Sequence, residues 1–446
     1  MPSFKVFTSF YLRRRFFIAL GGVALLFVLG HFVPVLTAVA RAGLIATVVL
    51  AMLDGLLLYR MPQGVRARRQ TPERFSNGDD NALHIYLTNE YRFLLHATII
   101  DELPFQFQIR DATYRLSVPP GGERILRYSV RPVQRGAYVF GAVNVYAASP
   151  LGLVSRRYRF DEGREVPVYP SFLQMRKYEL LAVSNRLEEI GVKKVRRVGH
   201  TMEFDHVRDY VLGDDPRTIN WKATARRGTL MINQYRDERA QPVYSVLDMG
   251  RVMKMPFDGM TLLDYSINAS LVLSNIALLK QDRAGLVTFS HDVGTLLPAE
   301  RKSGQIYTIQ EVLYNLQTDF LESDYARLVA HLRRHLRQRS LVLLFTNFET
   351  RTSMQRQLPF LRALARQHVV VAVFFENTSL RTLLDTAPRD TEGIYIKTIA
   401  EKFAFEKREV VKDLSRHGIQ SILTAPQDLS VNTINKYLEL KARGMV

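Results

Sequence analysis

Charged and aromatic side chains alternate densely over residues 203–238, which also hold the only tryptophan of the chain, Trp221. Within this stretch Gly213 ends one segment, Asp215 can cap a helix with its carboxylate, and Gly228 suits a helix stop. These signals predict a helix over residues 216–227 and a strand over residues 229–235. The chemistry that such residues favour is ion pairing and cation–π contact.

Two positions of the predicted helix, Arg217 and Trp221, stand four residues apart, so the guanidinium can lie on the indole ring. A contact of this kind contributes about 1 kcal/mol. If Trp221 is buried, the stretch is a clasp that fixes the domains before and after it at a set angle. If it is exposed, the stretch is a docking surface, because Trp and Arg often anchor interfaces. We expect the clasp, and both roles can coexist.

Two carboxylates stand at the start of the predicted helix, where the helix dipole favours negative charge. One of them, Asp214 or Asp215, can also hold Arg208 or Arg226. The candidate residues for the clasp or for partner binding are Arg208, Tyr210, Asp214, Asp215, Arg217, Trp221, Lys222 and Arg226. We expect no catalytic residue among them.

Two other groups of side chains could bind a cation. The first group is Glu203, Asp205, His206 and Asp209. Arg208 and further bases stand beside it, so an ion-paired scaffold is the favoured interpretation. The second group is His331 and His335, which are four apart on one predicted helix face. No glutamate stands between them and arginines crowd them, which indicates a solvated basic face.

Composition excludes several kinds of chemistry. The 446 residues contain no cysteine, so disulfides, thiolate metal sites and a cysteine nucleophile are absent. No GxxxxGK[ST] sequence is present, and the chain should not hydrolyse ATP by itself. A hydrolase at the strand ends would need a nucleophile and a base, and no such pair can be named. We therefore expect a protein that is not an enzyme.

The net charge of +18 raises nucleic acid as a partner. The alternative function is accordingly a nucleic-acid-binding membrane protein that uses the basic residues Lys193, Lys194, Arg196 and Arg197 and the basic face over residues 333–339. These clusters lack interleaved aromatic residues and belong to no known groove-reading motif. We expect no nucleic-acid partner.

The first seventy residues predict a membrane anchor. Residues 16–30 carry no charged side chain, Pro34 breaks the apolar run, and residues 35–59 supply a second span of about the length that a bilayer needs. Basic clusters at residues 13–15 and 60–69 flank both ends, and the positive-inside rule places both on the cytoplasmic face. We expect two transmembrane helices in a bacterial inner membrane, with the bulk of the chain cytoplasmic. A signal peptide is the competing interpretation, and the second span argues against it.

Two charged residues fall inside the second predicted span. Arg41 is expected to extend its side chain outward, and Asp54 to sit near the inner boundary. An intramembrane acid can mark an ion path, but two helices cannot enclose a pore. We therefore favour helix pairing or an interfacial position for Asp54.

Two folded regions follow. Residues 71–170 alternate with period two, as at Leu83, Ile85 and Leu87, which predicts a β-sandwich acting as a spacer. From residue 241 onward strands and helices alternate, which predicts an open, mostly parallel, doubly wound sheet. The predicted strands are 243–248, 284–290, 340–346, 368–375 and 418–425, and the clearest helices are 260–280 and 429–443. A site is expected after strands 243–248 and 340–346, because ligands bind at carboxyl strand ends.

The order of these regions resembles a known family. Two apolar spans, a β-sandwich carrying RGAYVFG and SPLGL, the block VRDYVLGDDPRTINWKATAR and a Rossmann-like domain resemble the bacterial domain-of-unknown-function 58 family. The matching positions of the block are Arg208, Tyr210, Gly213, Asp214, Asp215, Arg217, Ile219, Trp221, Lys222 and Arg226. The domains expected are a membrane anchor (1–70), a β-sandwich (71–170), a linker block (171–240) and an α/β domain (241–446).

The resemblance implies that the last domain is von Willebrand factor A-like and that a MoxR-type AAA+ ATPase is the partner. The biochemical activity of the family is largely undefined. The function expected is an inner-membrane anchored, cytoplasm-facing scaffold or adaptor that acts with this ATPase in protein assembly or maturation. Other membrane or envelope proteins and membrane lipid are the further partners expected.

The von Willebrand factor A resemblance also implies a metal-ion-dependent adhesion site, whose Mg²⁺ needs hard oxygen ligands in a DxSxS sequence and a later aspartate. Asp248 provides the first carboxylate, but Gly250 and Val252 replace the two hydroxyl residues. Asn347 stands near the end of the late strand, where an aspartate is needed. We therefore expect this site to be degenerate and no cofactor to be bound.

Overall fold

Two compact units make up the chain, Met1–Tyr169 and Pro170–Val446. The computed structural model describes residues 9–160, 163–183, 203–236, 240–378, 384 and 390–445. Each unit has its own buried core.

The first unit begins with two long apolar helices, α1 (Arg14–Gly30) and α2 (Pro34–Tyr59), which pack against each other. Both helices were expected from the sequence. Most of their large apolar side chains are exposed, including Phe17, Ile45 and Leu56. By length and composition α2 could cross a membrane. Helix Leu262–Leu279 passes the same test, but 83% of it is buried in the second unit.

The rest of the first unit is a β-sandwich. Its strands are β1 (Phe10–Leu12), β2 (Val65–Gln70), β3 (Phe75–Ser76), β4 (Asn81–Asn89), β5 (Leu95–Asp101), β6 (Thr113–Val118), β7 (Glu123–Val130), β8 (Gly136–Phe140), β9 (Val143–Ala148), β10 (Val154–Phe160) and β11 (Arg164–Tyr169). They form sheets of order β1-β10-β9-β5-β6, β2-β4-β7 and β3-β11-β8. The period-two residues Leu83, Ile85 and Leu87 are fully buried, because alternate side chains of β4 face the core.

The sandwich begins earlier than the predicted boundary at residue 71. Strand β2 pairs with β4, and β1 pairs with β10, so segments on both sides of the apolar helices are part of the sheets. Arg69, predicted to flank a membrane, is buried and forms an ion pair of 2.5 Å with Asp101. The buried guanidinium is thus paired with a buried carboxylate that lies 32 residues further along the chain, and the position of this flank at a membrane stays a prediction.

Asp54 connects α2 to the sandwich. Its buried carboxylate accepts hydrogen bonds from Ser149 Oγ and from the backbone N–H groups of Leu153 and Val154, both at 2.9 Å. Ser149 and Leu153 belong to the SPLGL turn between β9 and β10, in which Gly152 has a φ of 65°, and Val154 begins β10. The carboxylate thus holds a turn of the sandwich and does not pair the two helices, while the interfacial position stays a prediction.

The carboxyl end of α2 is also held by the sandwich. The Leu58 carbonyl accepts from Tyr91 Oη at 2.6 Å and from Arg156 Nη1 at 2.9 Å, and Arg156 also donates to the Met61 carbonyl at 2.8 Å. The Arg156 guanidinium lies 4.5 Å from the centre of the Tyr59 ring. Carbonyls at a helix end have no partner inside the helix, and here side chains of the sandwich satisfy them.

The second unit contains a six-stranded sheet of order β18-β17-β14-β19-β20-β21, in which only β18 is antiparallel to its neighbour. The strands of this unit are β12 (Glu203–Asp209), β13 (Met231–Arg236), β14 (Pro242–Asp248), β15 (Pro256–Phe257), β16 (Met260–Thr261), β17 (Arg283–Phe289), β18 (Val293–Glu300), β19 (Leu341–Phe345), β20 (Val369–Phe375) and β21 (Gln420–Thr424). Strands β14, β19 and β20 are buried along their whole length, as expected for central parallel strands. The sequence did not predict β18.

Helices cover both faces of this sheet, as predicted for a doubly wound fold. The helices of this unit are α3 (Phe172–Val183), α4 (Trp221–Arg227), α5 (Leu262–Leu279), α6 (Gln305–Tyr314), α7 (Tyr325–His335), α8 (Arg351–Ala365), α9 (Thr391–Arg416) and α10 (Leu429–Ala442), of which α4 lies between β12 and β13 and contacts β13. Helix α3 packs on α5, and the Ser171 N–H donates to Asn268 Oδ1 at 2.9 Å. The start of the predicted linker block therefore belongs to the α/β unit.

We predict that Asp54→Leu will lower the free energy of unfolding by about 2–4 kcal/mol, because it leaves three buried donors without an acceptor. Ser149→Ala removes a single donor and should cost about 1 kcal/mol. Thermal unfolding of the purified full chain measures both. An Asp54→Leu variant as stable as the parent would contradict the assigned role of this carboxylate.

Candidate functional site

Residues 203–236 form a small module, here called the signature module. Strands β12 and β13 pair antiparallel, and a 3₁₀ turn (Pro216–Thr218) followed by α4 lies between them. The single helix predicted over residues 216–227 is wrong, because Asn220 interrupts it. Its side chain accepts from the Ala223 N–H at 3.0 Å as the N-cap of α4 and donates to Asn233 Oδ1 at 2.7 Å. Gly228, with a φ of 74°, ends α4 as expected.

A charged network fixes the loop that follows β12. Arg208 donates to both carboxylate oxygens of Asp214, at 2.9 and 2.7 Å, and to Gln234 Oε1 at 2.9 Å. Asp214 also accepts from the Val211 N–H at 2.9 Å. The hydrogen bonds from Arg208 and Val211 lower the pKa of Asp214 below its usual value. The expected pairing of one helix-start carboxylate with Arg208 is thus confirmed.

Asp215 caps the 3₁₀ turn by accepting from the Arg217 N–H at 3.0 Å, also as expected. Arg217 lies in this turn and Trp221 begins α4, so the helical spacing predicted to stack them is not formed. Of the remaining candidates, Tyr210 is partly buried, and its N–H donates to the Leu230 carbonyl. Lys222 and Arg226 are exposed on α4.

The apolar side chains of the signature module are largely exposed. Trp221 is 70% exposed, Leu212 97% and Val211 61%. The clasp between the domains therefore stays a prediction, as does the docking surface. The frame behind these side chains is held by the Arg208–Asp214 pair and by the caps at Asp215 and Asn220, which leaves the apolar side chains available to a partner.

The alternative cation sites have the following geometry. Asp209 lies 3.9 Å from Arg227 in an exposed ion pair. The side chains of Glu203 and Asp205, and all of residues 193–197, lie outside what the structure describes. The rings of His331 and His335 stack at 4.1 Å on α7, and burial lowers the pKa of His331. Among the described residues no cluster of three His, Asp or Glu side chains is placed to hold a metal ion.

Asp248 ends β14 at the position of the first predicted metal ligand, and it is completely buried. One carboxylate oxygen accepts from the Gly250 N–H at 2.8 Å and from Ser323 Oγ. The other accepts from Thr346 Oγ1 at 2.7 Å and Tyr325 Oη at 3.2 Å. Burial raises the pKa of Asp248, and these hydrogen bonds oppose the rise.

Gly250 has no side chain because Ser323 fills the space. A Cβ atom at Gly250 would lie 1.9 Å from Ser323 Oγ. Val252, the other replaced hydroxyl position, packs against the core. The residues at this end of the sheet do not fit an Mg²⁺ ion, because both oxygens of the one carboxylate are already taken by protein donors and face no solvent. Ser323 and Tyr325 were missed from the sequence.

Asn347, the third predicted position, binds a lysine. Its Oδ1 accepts from Lys407 Nζ of α9 at 2.9 Å. Burial lowers the pKa of Lys407 to about 8, while Glu349 and Glu376 act in the opposite direction. The sequence carried a signal for this residue, because Lys407 falls on the helical stripe that buries Ala400, Val410 and Leu414.

Residues 206–383 match the model of a family described as Protein of unknown function DUF58. This confirms the resemblance that the sequence suggested. Among known proteins, Uncharacterized protein YeaD of Bacillus subtilis (strain 168) is 28% identical over 201 residues, which cover 43% of this chain and 50% of YeaD. The chain therefore spans about half the length of this relative.

Two solved structures are similar to somewhat less than half of this chain. The conserved hypothetical protein BatB from Bacteroides thetaiotaomicron is 12% identical, with a TM-score of 0.30, over 46% of this chain and 100% of BatB. An aerotolerance-related membrane protein from Bacteroides fragilis NCTC 9343 is 11% identical, with a TM-score of 0.28, over 46% of this chain and 100% of that chain. These likenesses are distant, and the fold given above rests on the strands and helices of this chain itself.

We predict that Asp248→Asn will lower the free energy of unfolding by about 2–4 kcal/mol, because an amide cannot accept all four donors. Asp292→Asn is the control, since Asp292 is exposed and pairs with Arg327 at the surface. Millimolar Mg²⁺ should leave the melting temperature of the parent unchanged apart from a general ionic effect. An Mg²⁺-dependent rise that Asp248→Asn abolishes would show that the carboxylate is a metal ligand.

A second prediction concerns Lys407. Its pKa is lower in the folded chain than the ordinary value of 10.5, so the unfolded chain binds more protons between about pH 8 and 10.5. The free energy of unfolding therefore increases as the pH rises through this window. In Lys407→Met this increase should be smaller by about 1–3 kcal/mol. Lys402→Met, an exposed lysine of the same helix, is the control. Parallel pH–stability curves for parent and Lys407→Met would refute the shift.

Proposed function

Because residues 206–383 carry the sequence of this family, we propose that the protein is a scaffold or adaptor anchored in the bacterial inner membrane. It faces the cytoplasm and acts with a MoxR-type AAA+ ATPase in the assembly or maturation of envelope proteins. The observation that carries the proposal is the exposure of Trp221 and Leu212 on an internally bonded module. Tryptophan is among the residues that most often supply the main binding energy of an interface.

The module is suited to binding because its shape is set before a partner arrives. The Arg208–Asp214 pair and the caps at Asp215 and Asn220 hold the loop and α4 in place. A preorganised surface loses less conformational entropy on association than a loose one. The exposed cations Arg217, Lys222 and Arg226 surround this surface, so we expect the ATPase to present acidic side chains to them.

The von Willebrand factor A-like head serves binding in this proposal and does no chemistry of its own. Strand β14 of this head ends in Asp248, and the carboxylate oxygens of Asp248 accept hydrogen bonds from four protein donors. A general base or a nucleophile must instead reach a substrate. The ATP chemistry then comes from the partner.

The anchor is the second part of the proposal. Exposed apolar side chains cover α1 and α2, and lipid is the surrounding that such side chains favour. Asp54 and Arg156 bind the inner end of α2 to the sandwich. The sandwich is then fixed to its anchor as a rigid spacer.

Trp221→Ala tests the docking surface. Because the side chain is 70% exposed, the melting temperature should stay within a few degrees of the parent. Capture of a MoxR-type ATPase from the same cells should fall by about tenfold or more, as on loss of an aromatic anchor. The matched control is Tyr395→Ala, which removes an aromatic side chain that is 69% exposed on α9. Equal capture by parent and Trp221→Ala would refute this docking surface.

Single cysteines test the topology, because the chain has none of its own. Phe32→Cys places a thiol between α1 and α2 at a side chain that is 77% exposed, and Leu212→Cys places one in the signature module. In intact spheroplasts a membrane-impermeant maleimide should label only Phe32→Cys, since the positive-inside rule puts the basic flanks in the cytoplasm. Both variants should react after permeabilisation. Labelling of Leu212→Cys in intact spheroplasts would reverse the proposed orientation.

A further inference from the structure

A cavity of about 670 Å³ opens at the carboxyl ends of β19, β20 and β21. Asn347 and Glu349 follow β19, Glu376 follows β20, and Phe403 and Lys407 reach the cavity from α9. Open α/β sheets bind ligands at this edge. The volume lies within the range of about 300–1,000 Å³ that is usual for small-molecule sites. The cavity is separate from the signature module and from Asp248.

One side of the cavity is apolar. It is lined by Met255, Phe257, Leu262, Phe375, Phe403 and Leu423. Aromatic and aliphatic walls of this kind favour a ligand with an apolar body.

The charged residues of the lining are Lys407, Arg408, Glu349 and Glu376, and Lys407 is the less exposed of the two cations. An ammonium group has three N–H donors, and one of them is used on Asn347 at 2.9 Å. The Nζ atom also lies 5.7 Å from the centre of the Phe374 ring. Among the described residues no carboxylate lies within ion-pair distance of this ammonium. A partly buried cation with so few partners is stabilised when an anion binds beside it.

The charge of that anion is limited by its surroundings. Glu349 and Glu376 line the same cavity and act on Lys407 electrostatically. They would repel a doubly charged group such as phosphate, because like charges in a partly desolvated site oppose each other strongly. Arg408 also lines the cavity, so two cations stand against two carboxylates and leave no excess positive charge for a dianion. A single negative charge is therefore the better match to Lys407, and a carboxylate accepts hydrogen bonds from ammonium groups.

The geometry points to a binding site for an amphipathic monocarboxylate, with its carboxylate on Lys407 Nζ and its apolar body against Phe257, Phe375 and Phe403. A free carboxylic acid and the free C-terminus of an apolar peptide present the same chemistry. This site is independent of the proposed adaptor role, since neither Trp221 nor the anchor contributes to it.

The test uses the purified full chain in nanodiscs and two soluble probes, 4-phenylbutyrate and an acetylated apolar tripeptide with a free C-terminus. Isothermal titration calorimetry should detect binding of at least one probe. The matched neutral probes, 4-phenylbutan-1-ol and the tripeptide amide, should bind about tenfold more weakly or worse, because they lack the charge-assisted hydrogen bond. Whichever carboxylate binds identifies the source of the ligand.

Three variants separate this site from general hydrophobic binding. Lys407→Met should weaken carboxylate binding by about tenfold or more and abolish the preference over the neutral probe. Phe403→Ala should weaken both probes of a pair and keep the preference. Lys402→Met should bind as the parent does. The inference is overturned if neither carboxylate binds, or if Lys407→Met, shown to be folded by its melting curve, binds the carboxylate as well as the parent.

Discussion

A carboxylate removed from water must be met by hydrogen-bond donors, and this requirement organises the α/β unit around Asp248. Its four donors come from Gly250, Ser323, Tyr325 and Thr346, which joins the ends of β14 and β19 to the segment that starts α7. The absence of a side chain at Gly250 is what admits Ser323. The same rule acts in the first unit, where the donors to Asp54 come from the turn after β9.

The burial of Asp248 bears on which surfaces of the α/β unit can bind another molecule. Both oxygens of Asp248 accept hydrogen bonds from protein groups, and the binding surfaces proposed for this chain lie elsewhere. Lys407 on Asn347 provides a positive charge in the neighbouring cavity, and the signature module provides exposed apolar and basic side chains. Both surfaces suit recognition of another molecule. An adaptor that relies on an ATPase for chemistry is consistent with this arrangement.

Much of the fold could be predicted because its strongest signals are local. The short β-prone run that ends at Asp248 predicted a strand of the parallel sheet, and the period-two pattern around Ile85 predicted a half-buried one. Strand β1 was missed because three residues before an apolar helix carry no period of their own. Asp215 was correctly predicted as a cap and Gly228 as a helix end. Asn220 was not considered as a cap, so a 3₁₀ turn and a short helix were predicted as one helix.

The site was harder to predict because its contacts are long-range. Ser323 reaches Asp248 across 75 residues, and nothing in its neighbourhood marks it as a partner of a buried acid. Lys407 could have been noticed from the sequence, because it is a charged residue on the helix face that is otherwise buried. The exposure of Trp221 depends on what packs around it, whereas residue type alone favoured the clasp over docking.

The central claim is that the signature module is the surface that meets the ATPase. A photo-reactive benzoylphenylalanine placed at Leu212, which is 97% exposed, samples that surface directly, and the same group at Tyr307, which is 64% exposed on α6, samples an unrelated one. After irradiation of living cells the account predicts a covalent product between the Leu212 variant and a MoxR-type ATPase, and none from the Tyr307 variant. An ATPase product from Tyr307 alone, or no ATPase product from Leu212 while the protein is present at its normal level, would contradict it.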